Sequence, residues 1–205
     1  MPKAKTHARL TFQERQEIIL EAGRDLFSQK GFVGTTTKAI ALKAKINEAL
    51  LFRHFATKEE LYTEILRRKM SRSFSEVIPL LGKNLSKKTA QGLFNIAKTF
   101  IREHVREPRL FRMMLYSALE NHRVSRFIFR QRVPFVTFVE EFLRAKAAVR
   151  ELRPLDARVA ARAFIGMIHN YIMVTQIFKT KSFFPKSEDR ILKEYIHLFL
   201  KGVGA

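Results

Sequence analysis

The 205-residue chain contains no cysteine, which excludes disulfides, thiolate nucleophiles and Cys-based metal sites and fits a reducing cytoplasm. Tryptophan is absent too, and the bulky apolar positions fall to 19 phenylalanines. No uncharged run reaches the roughly 20 apolar residues of a membrane helix. The longest candidate, residues 163–178, is short and carries His169 and Asn170. The opening segment MPKAKTHARLTF is basic without an apolar run, so no signal peptide is expected. A nucleophile–base motif, a glycine-rich phosphate loop and metal-ligand spacing are all missing, so neither an enzyme nor a cofactor is expected. Acidic residues are scarce. Nineteen face 39 basic ones, a net charge of +20 that asks for a polyanionic partner, either nucleic acid or an anionic surface. Residues 1–70 hold 14 basic and 8 acidic side chains and the remainder 25 and 11, so much of the excess lies beyond the N-terminal segment.

What is present is helical patterning. Apolar residues make up 46% of the chain, enough for a sizeable core. Period-two alternation is not sustained, whereas offsets of three and four recur, so the expected fold is all-α with about nine helices. Over 13–30, Ile18, Ile19, Ala22, Leu26 and Phe27 form one stripe, ended by Gly31. Thr35, Thr36 and Thr37 offer N-caps for a short helix to Lys43. Asn47 caps a second short helix to His54, and Thr57 with Glu60 forms a capping box for a long third running toward Ile78. A loop is expected over 82–86. Helices follow over 87–106, from Pro108 to Leu119, over 123–149 with a kink at Pro134, from Asp156 to Phe178, and from Ser187 to Leu200, stopped by Gly202.

The two short helices carry the functional signal. Ile40, Ala41 and Ala44 pack the first, Ile46 fills the turn, and Leu51 and Phe55 pack the second. A corner of small and branched residues lets the helices cross steeply and project the second into a DNA major groove. Over about residues 15–65 the chain resembles the TetR family of bacterial regulators. The matching positions are Ala22, Leu26, Phe27, Gly31, Thr36, Thr37, Ile40, Ala41, Ala44, Ile46, Leu51, Phe52, His54, Phe55, Lys58, Glu59 and Leu61. The resemblance implies a helix-turn-helix DNA-binding domain over 1–56 and a ligand-binding and dimerisation domain over 57–205. It also places Thr36, Thr37, Lys38, Glu48, Ala49, Leu50, Phe52, Arg53, His54 and Lys58 at the DNA. The chemistry agrees in part: Arg53 and Lys38 can donate to guanine or phosphate, Glu48 can accept from cytosine, and Ala49 and Leu50 can touch a thymine methyl. Lys58, in a first helical turn, is expected to hold a phosphate. Two positions depart from the family pattern. Phe52 replaces the usual Tyr and loses a phosphate hydrogen bond, and Lys45 replaces the usual turn Gly, costing about 1 kcal/mol if φ is positive there.

The implied function is that of a transcriptional regulator, a repressor released by a small-molecule effector. The partners are a palindromic DNA operator and a second copy of the chain through the last two helices, with no membrane partner. The effector pocket is expected among Phe100, His104, Met113, Tyr116, Phe127, Phe135, Phe138, Phe164, Ile168 and Tyr171, although apolar residues at helical spacing also describe plain core. His104, His169 and His197 lie on separate helices, so no metal site is expected. Arg123, Arg126 and Arg130 share a helical face that is either solvated or an anion site. The rival function is a sequence-independent, nucleoid-type nucleic-acid binder working by charge alone.

Overall fold

Helix ends are set by side chains that satisfy otherwise unpaired backbone groups. Thr11 Oγ1 accepts the Glu14 N–H at 3.2 Å while Glu14 returns to the Thr11 N–H at 2.8 Å, closing a capping box on α1 (Phe12–Lys30). Gly31, at φ 71°, ends that helix in a backbone region that suits glycine. Thr36 caps α2 (Thr37–Lys43) through the Ala39 N–H at 3.1 Å, and Asn47 caps α3 (Glu48–His54) through the Leu50 N–H at 2.8 Å. Thr57 accepts the Glu60 N–H at 3.0 Å ahead of α4 (Lys58–Gly82); the Glu60 carboxylate reaches one residue further back than a standard box, to the Ala56 N–H at 2.7 Å.

The structure, a computed structural model, describes residues 10–82, 87–184 and 187–203. Nine α-helices are found among them, the rest being α5 (Thr89–Arg106), α6 (Pro108–Leu119), α7 (Val124–Ala148), α8 (Ala157–Ile172) and α9 (Glu188–Val203). The all-α expectation holds, with two corrections at helix ends. The helix from Asp156 leaves α geometry at Ile172 and continues as a π turn over Met173–Ile177 instead of running regularly to Phe178. The last helix passes through Gly202 to Val203. The expected 82–86 loop lies outside the described residues after Gly82, as does Pro185. On α1, Ile18 is 38% exposed; the buried side passes instead through Ile19, Leu20, Ala22, Gly23 and Phe27. Gly23 permits a close crossing, since a Cβ there would sit 3.1 Å from Ile65 Cδ1 on α4.

Seven-residue helices such as α2 and α3 do not persist alone in water. They are held by burial of Ile40, Ala41, Leu51 and Phe55 against Ile19, Phe27, Leu61, Tyr62 and Leu66. Each full burial of a large apolar side chain contributes about 1.5–3 kcal/mol. Met113, Val124 and Ile128, from α6 and α7, complete the same cluster. A boundary drawn at residue 56 therefore crosses a shared core. The second cluster joins α5, α7, α8 and α9 around Ile96, Phe100, Phe142, Phe164, Ile168, Leu192 and Phe199.

Candidate nucleic-acid interface and effector domain

The α2–α3 corner turns at Lys45, whose φ is 55°, and is closed by the Ile46 N–H donating to the Ala41 carbonyl at 3.0 Å. A second tie joins the helices directly: Thr37 Oγ1 donates to Glu48 Oε1 at 2.6 Å. That bond gives Glu48 a structural partner on α2 in addition to any base it meets. Ile40, Leu51 and Phe55 turn inward, so Thr36, Lys38, Ala49, Phe52 and Arg53 form one solvent-facing surface, with Leu50 half-buried at its edge. Phe52 is 45% exposed, a large apolar ring without a polar tip.

His54 closes the end of α3 differently from the expectation of a free DNA-facing side chain. Its ring stacks on Phe12 at 4.1 Å, and its enclosed Nδ1 meets no hydrogen-bond partner among the described residues. Burial, with the nearby positive charges of Arg15 and Arg53, lowers its pKa and favours the neutral imidazole. Lys58 also departs from its expected place. Rather than presenting a free charge, its Nζ donates to the carbonyls of Phe32 and Thr35, both at 2.8 Å, and lies 4.2 Å from the Phe32 ring centre. Burial lowers its pKa against the opposing pull of Glu120. The physical reason is tertiary: packing brings the Phe32 and Thr35 carbonyls of the α1–α2 loop beside the first residue of α4, whose ammonium satisfies both.

The ten residues expected to form an effector pocket divide between the two clusters. Phe100, Phe135, Phe138, Phe164 and Ile168 are buried in the second core, with His104 and Tyr171 at its edge. Met113, Phe127 and Tyr116 lie instead at the seam with the N-terminal helices. Met113 is fully buried and its carbonyl accepts the Tyr62 hydroxyl at 2.9 Å; Phe127 packs against the N-terminal core; the Tyr116 hydroxyl donates to the Gln29 carbonyl at 3.1 Å. His104 and His169 converge, with ring centres 5.8 Å apart beside Phe100, and no cluster of three metal-ligating side chains occurs among the described residues. Arg123, immediately before α7, and Arg126 and Arg130 on it are exposed.

Two openings were not anticipated from the sequence. One, of about 530 Å³, lies between α7 and α8, lined by Phe129, Val133, Val136, Ile165 and His169 and by Arg158, Arg162 and Glu140. The other, of about 410 Å³, lies where the start of α6 meets the π turn. Charge ties also span the seam. Arg109 on α6 pairs through Nη1 with Glu21 at 2.6 Å and with Asp25, and through Nε with Glu107 at 3.1 Å. Lys43 on α2 lies 3.1 Å from the same Asp25. Burial pushes the Asp25 carboxyl up, but hydrogen bonds from Arg109 and Lys43 outweigh it and hold the pKa below its ordinary value. The Arg109 ties to Asp25 and Glu21 join residues 84 and 88 positions apart, and nothing in the local sequence pattern signals them.

A capped helix-turn-helix corner mounted on a larger helical body is the build of the helix-turn-helix DNA-binding class. The chain belongs, within that class, to the TetR family of bacterial regulatory proteins. The family model for the N-terminal region, "Bacterial regulatory proteins, tetR family", matches residues 19–65, and that for an AefR-like transcriptional repressor C-terminal domain matches 91–202. An HTH-type transcriptional repressor of Mycobacterium tuberculosis, Rv3405c, is 42% identical over 55 residues, covering 25% of this chain and 29% of that protein. The chain thus matches less than a third of the length of such curated relatives. The fold is shared with the TetR-family regulator PfmR of Thermus thermophilus (TM-score 0.69, 22% identity, 96% and 100% of the two chains covered). It is also shared with the regulator FadR of Bacillus subtilis, solved in complex with stearoyl-CoA (TM-score 0.68, 15% identity, 91% and 98% covered). No helix among the described residues is long and apolar enough to cross a membrane.

Proposed function

We propose that the protein is a sequence-specific DNA-binding transcriptional regulator, a cytoplasmic repressor released by a small-molecule effector, and not an enzyme. The observation that carries this is the α2–α3 corner, whose inward Ile40, Leu51 and Phe55 leave Lys38, Ala49, Phe52 and Arg53 together on one open face. Family membership and the placement of the N-termini of α2 and α3 beside this face support phosphate contact there. Thr36, Thr37, Glu48 and Leu50 border this face, and His54 and Lys58 support it from behind. Residues 57–205 supply effector binding and dimerisation while sharing a core with the reading head.

The homodimer is proposed to form through α8 and α9, where Val159 and Leu198 are each 61% exposed, with Ala163 and Gly166 exposed beside Val159 on α8. Two-fold symmetry then implies a palindromic operator. The α7–α8 groove, mostly apolar with Arg158 and Arg162 beside Glu140 at one end, is the proposed effector site, and its size lies in the roughly 300–1,000 Å³ range of small-molecule sites. The long-chain ligand named for the FadR structure fits the same idea of an apolar body with an anionic end.

Selection of bound duplexes from a random pool at fixed salt tests the reading. A palindrome preferred by about 10³ or more over random DNA supports it. Uniform affinity for all sequences, with a steep salt dependence, would assign the chain to charge-driven nucleoid-type binding instead.

A further inference from the structure

The 410 Å³ opening is lined by Pro108, Arg109, Arg112, Thr175, Gln176 and Lys179. No acidic side chain lines it, and three of its six walls are cationic. Arg112 and Lys179 have no acidic partner among the described residues. The floor is the π turn, where the Phe178 N–H donates to the Met173 carbonyl at 3.0 Å and Lys179 follows at φ 56°. This π turn departs from the favoured α geometry and ends the helical run of α8. Here it brings Thr175, Gln176 and Lys179 to face α6. Arg109 stands between this opening and the reading head. Its Nη1 and Nε hold Glu21, Asp25 and Glu107, and none of those bonds uses Nη2.

From this arrangement we propose that the opening binds a small organic phosphate, whose oxygens take Arg112 and Lys179 and compete with the α1 carboxylates for Arg109. A phosphate dianion offers three strong acceptors, matching guanidinium donors better than a single carboxylate does. The volume exceeds what a bare ion needs and lies within the range of small-molecule sites. Occupancy has a built-in consequence. Asp25 holds Arg109 on one side and Lys43 of α2 on the other, so drawing Arg109 toward the ligand loosens the tie between α6 and α1, one ion pair away from the reading head. The coupling rests on the regulator reading; the binding does not.

The test uses the full chain, without DNA, with inorganic pyrophosphate as probe and sulfate at matched ionic strength as control. Calorimetry is expected to show one pyrophosphate per chain, bound about tenfold or more tightly than sulfate. Arg112→Gln with Lys179→Gln should remove that preference, as should Lys179→Glu alone, an exposed change that spares the fold. Lys38→Gln with Arg53→Gln should keep it. Equal binding by wild type and the cavity variants, or loss only in the Lys38 and Arg53 variant, would show general attraction to a +20 protein and overturn the site. Amide hydrogen exchange over 21–30 is expected to quicken at least threefold on saturation with pyrophosphate. Unchanged exchange with binding intact would overturn the coupling and leave the regulator reading standing.

Discussion

The carboxylate of Glu120, at the C-terminal cap of α6, accepts the backbone N–H of Phe32 at 3.0 Å and that of Val33 at 3.3 Å. A helix of the larger helical body thereby caps the loop that leads into α2. Gly31 is what admits it: a Cβ at that position would collide with the Glu120 carboxylate and lie 2.9 Å from Tyr116 Cδ1, at a φ of 71°. Hydrogen bonds to a charged group are worth about 1.5–3 kcal/mol. Val33 is exposed, so Glu120→Ala is expected to cost only about 1–2 kcal/mol. Urea midpoints should show Glu120→Gln losing less, because one oxygen still accepts, and Gly31→Ala losing at least as much as Glu120→Ala.

Lys58 is predicted to be a stability residue. Its ammonium satisfies two loop carbonyls, and Lys58→Ala leaves both without that partner, at a cost of about 1–3 kcal/mol. The salt dependence of DNA binding should stay within error of wild type. A slope lower by about one unit, with stability unchanged, would return Lys58 to the phosphate backbone.

His122 links stability to pH. Its ring packs edge-on against Phe32 at 4.3 Å, and its Nδ1 accepts the Val124 N–H at 3.2 Å, a bond only an unprotonated nitrogen can accept. Burial lowers its pKa; the carboxylates of Glu59 and Glu120 oppose the shift, and the charges of Lys58 and Arg123 add to it. With the folded pKa below the unfolded value near 6.5, the unfolded chain binds more protons across that window. Stability should therefore be full above pH 6.5 and fall as the pH drops through the lowered value, with His54 contributing in the same direction. Denaturant midpoints at pH 7.5 and 5.5 check this, and His122→Gln should flatten the difference. A midpoint that rises on acidification would reverse the sign.

The sequence made local features legible and long-range ones obscure, for a physical reason. Caps at Thr36, Asn47 and Thr57 act over three residues, and an inward stripe repeats every three or four, so both appear as spacing. At Lys45, where the family resemblance has glycine and the cost was conditional on a positive φ, the backbone takes φ 55°. The roles of Lys58, Met113 and Tyr116 were not legible, because each is decided by a partner brought close by tertiary packing. The same holds for the π turn, which follows a segment whose apolar pattern does not distinguish it from continued α-helix. Phe12 was missed as the residue stacked on His54 because it lies before the stripe used to place the first helix.

Arg53 gives the sharpest test of where the reading face lies. It is exposed in the last turn of α3, while Leu51 is fully buried and Phe55 nearly so, which fixes the helix rotation. It is the one Lys or Arg within α3, so no neighbour on that helix can substitute for its charge. Its side chain is exposed, so Arg53→Ala should leave the melting temperature and dimerisation unchanged. Operator affinity should fall about tenfold or more, since a good bidentate contact to guanine is worth about 1–3 kcal/mol and a lost phosphate contact also weakens binding. Binding-site selection on wild type and variant separates the two. Relaxed preference at one symmetric base pair assigns Arg53 to base reading, and uniform weakening with a lower salt slope assigns it to phosphate. Phe52→Tyr serves as the internal control, because it adds a hydroxyl to the same exposed face and should tighten binding to all sequences alike. If neither substitution moved affinity, α3 could not be the element in the groove, and the rotation inferred from Leu51 and Phe55 would have no bearing on DNA.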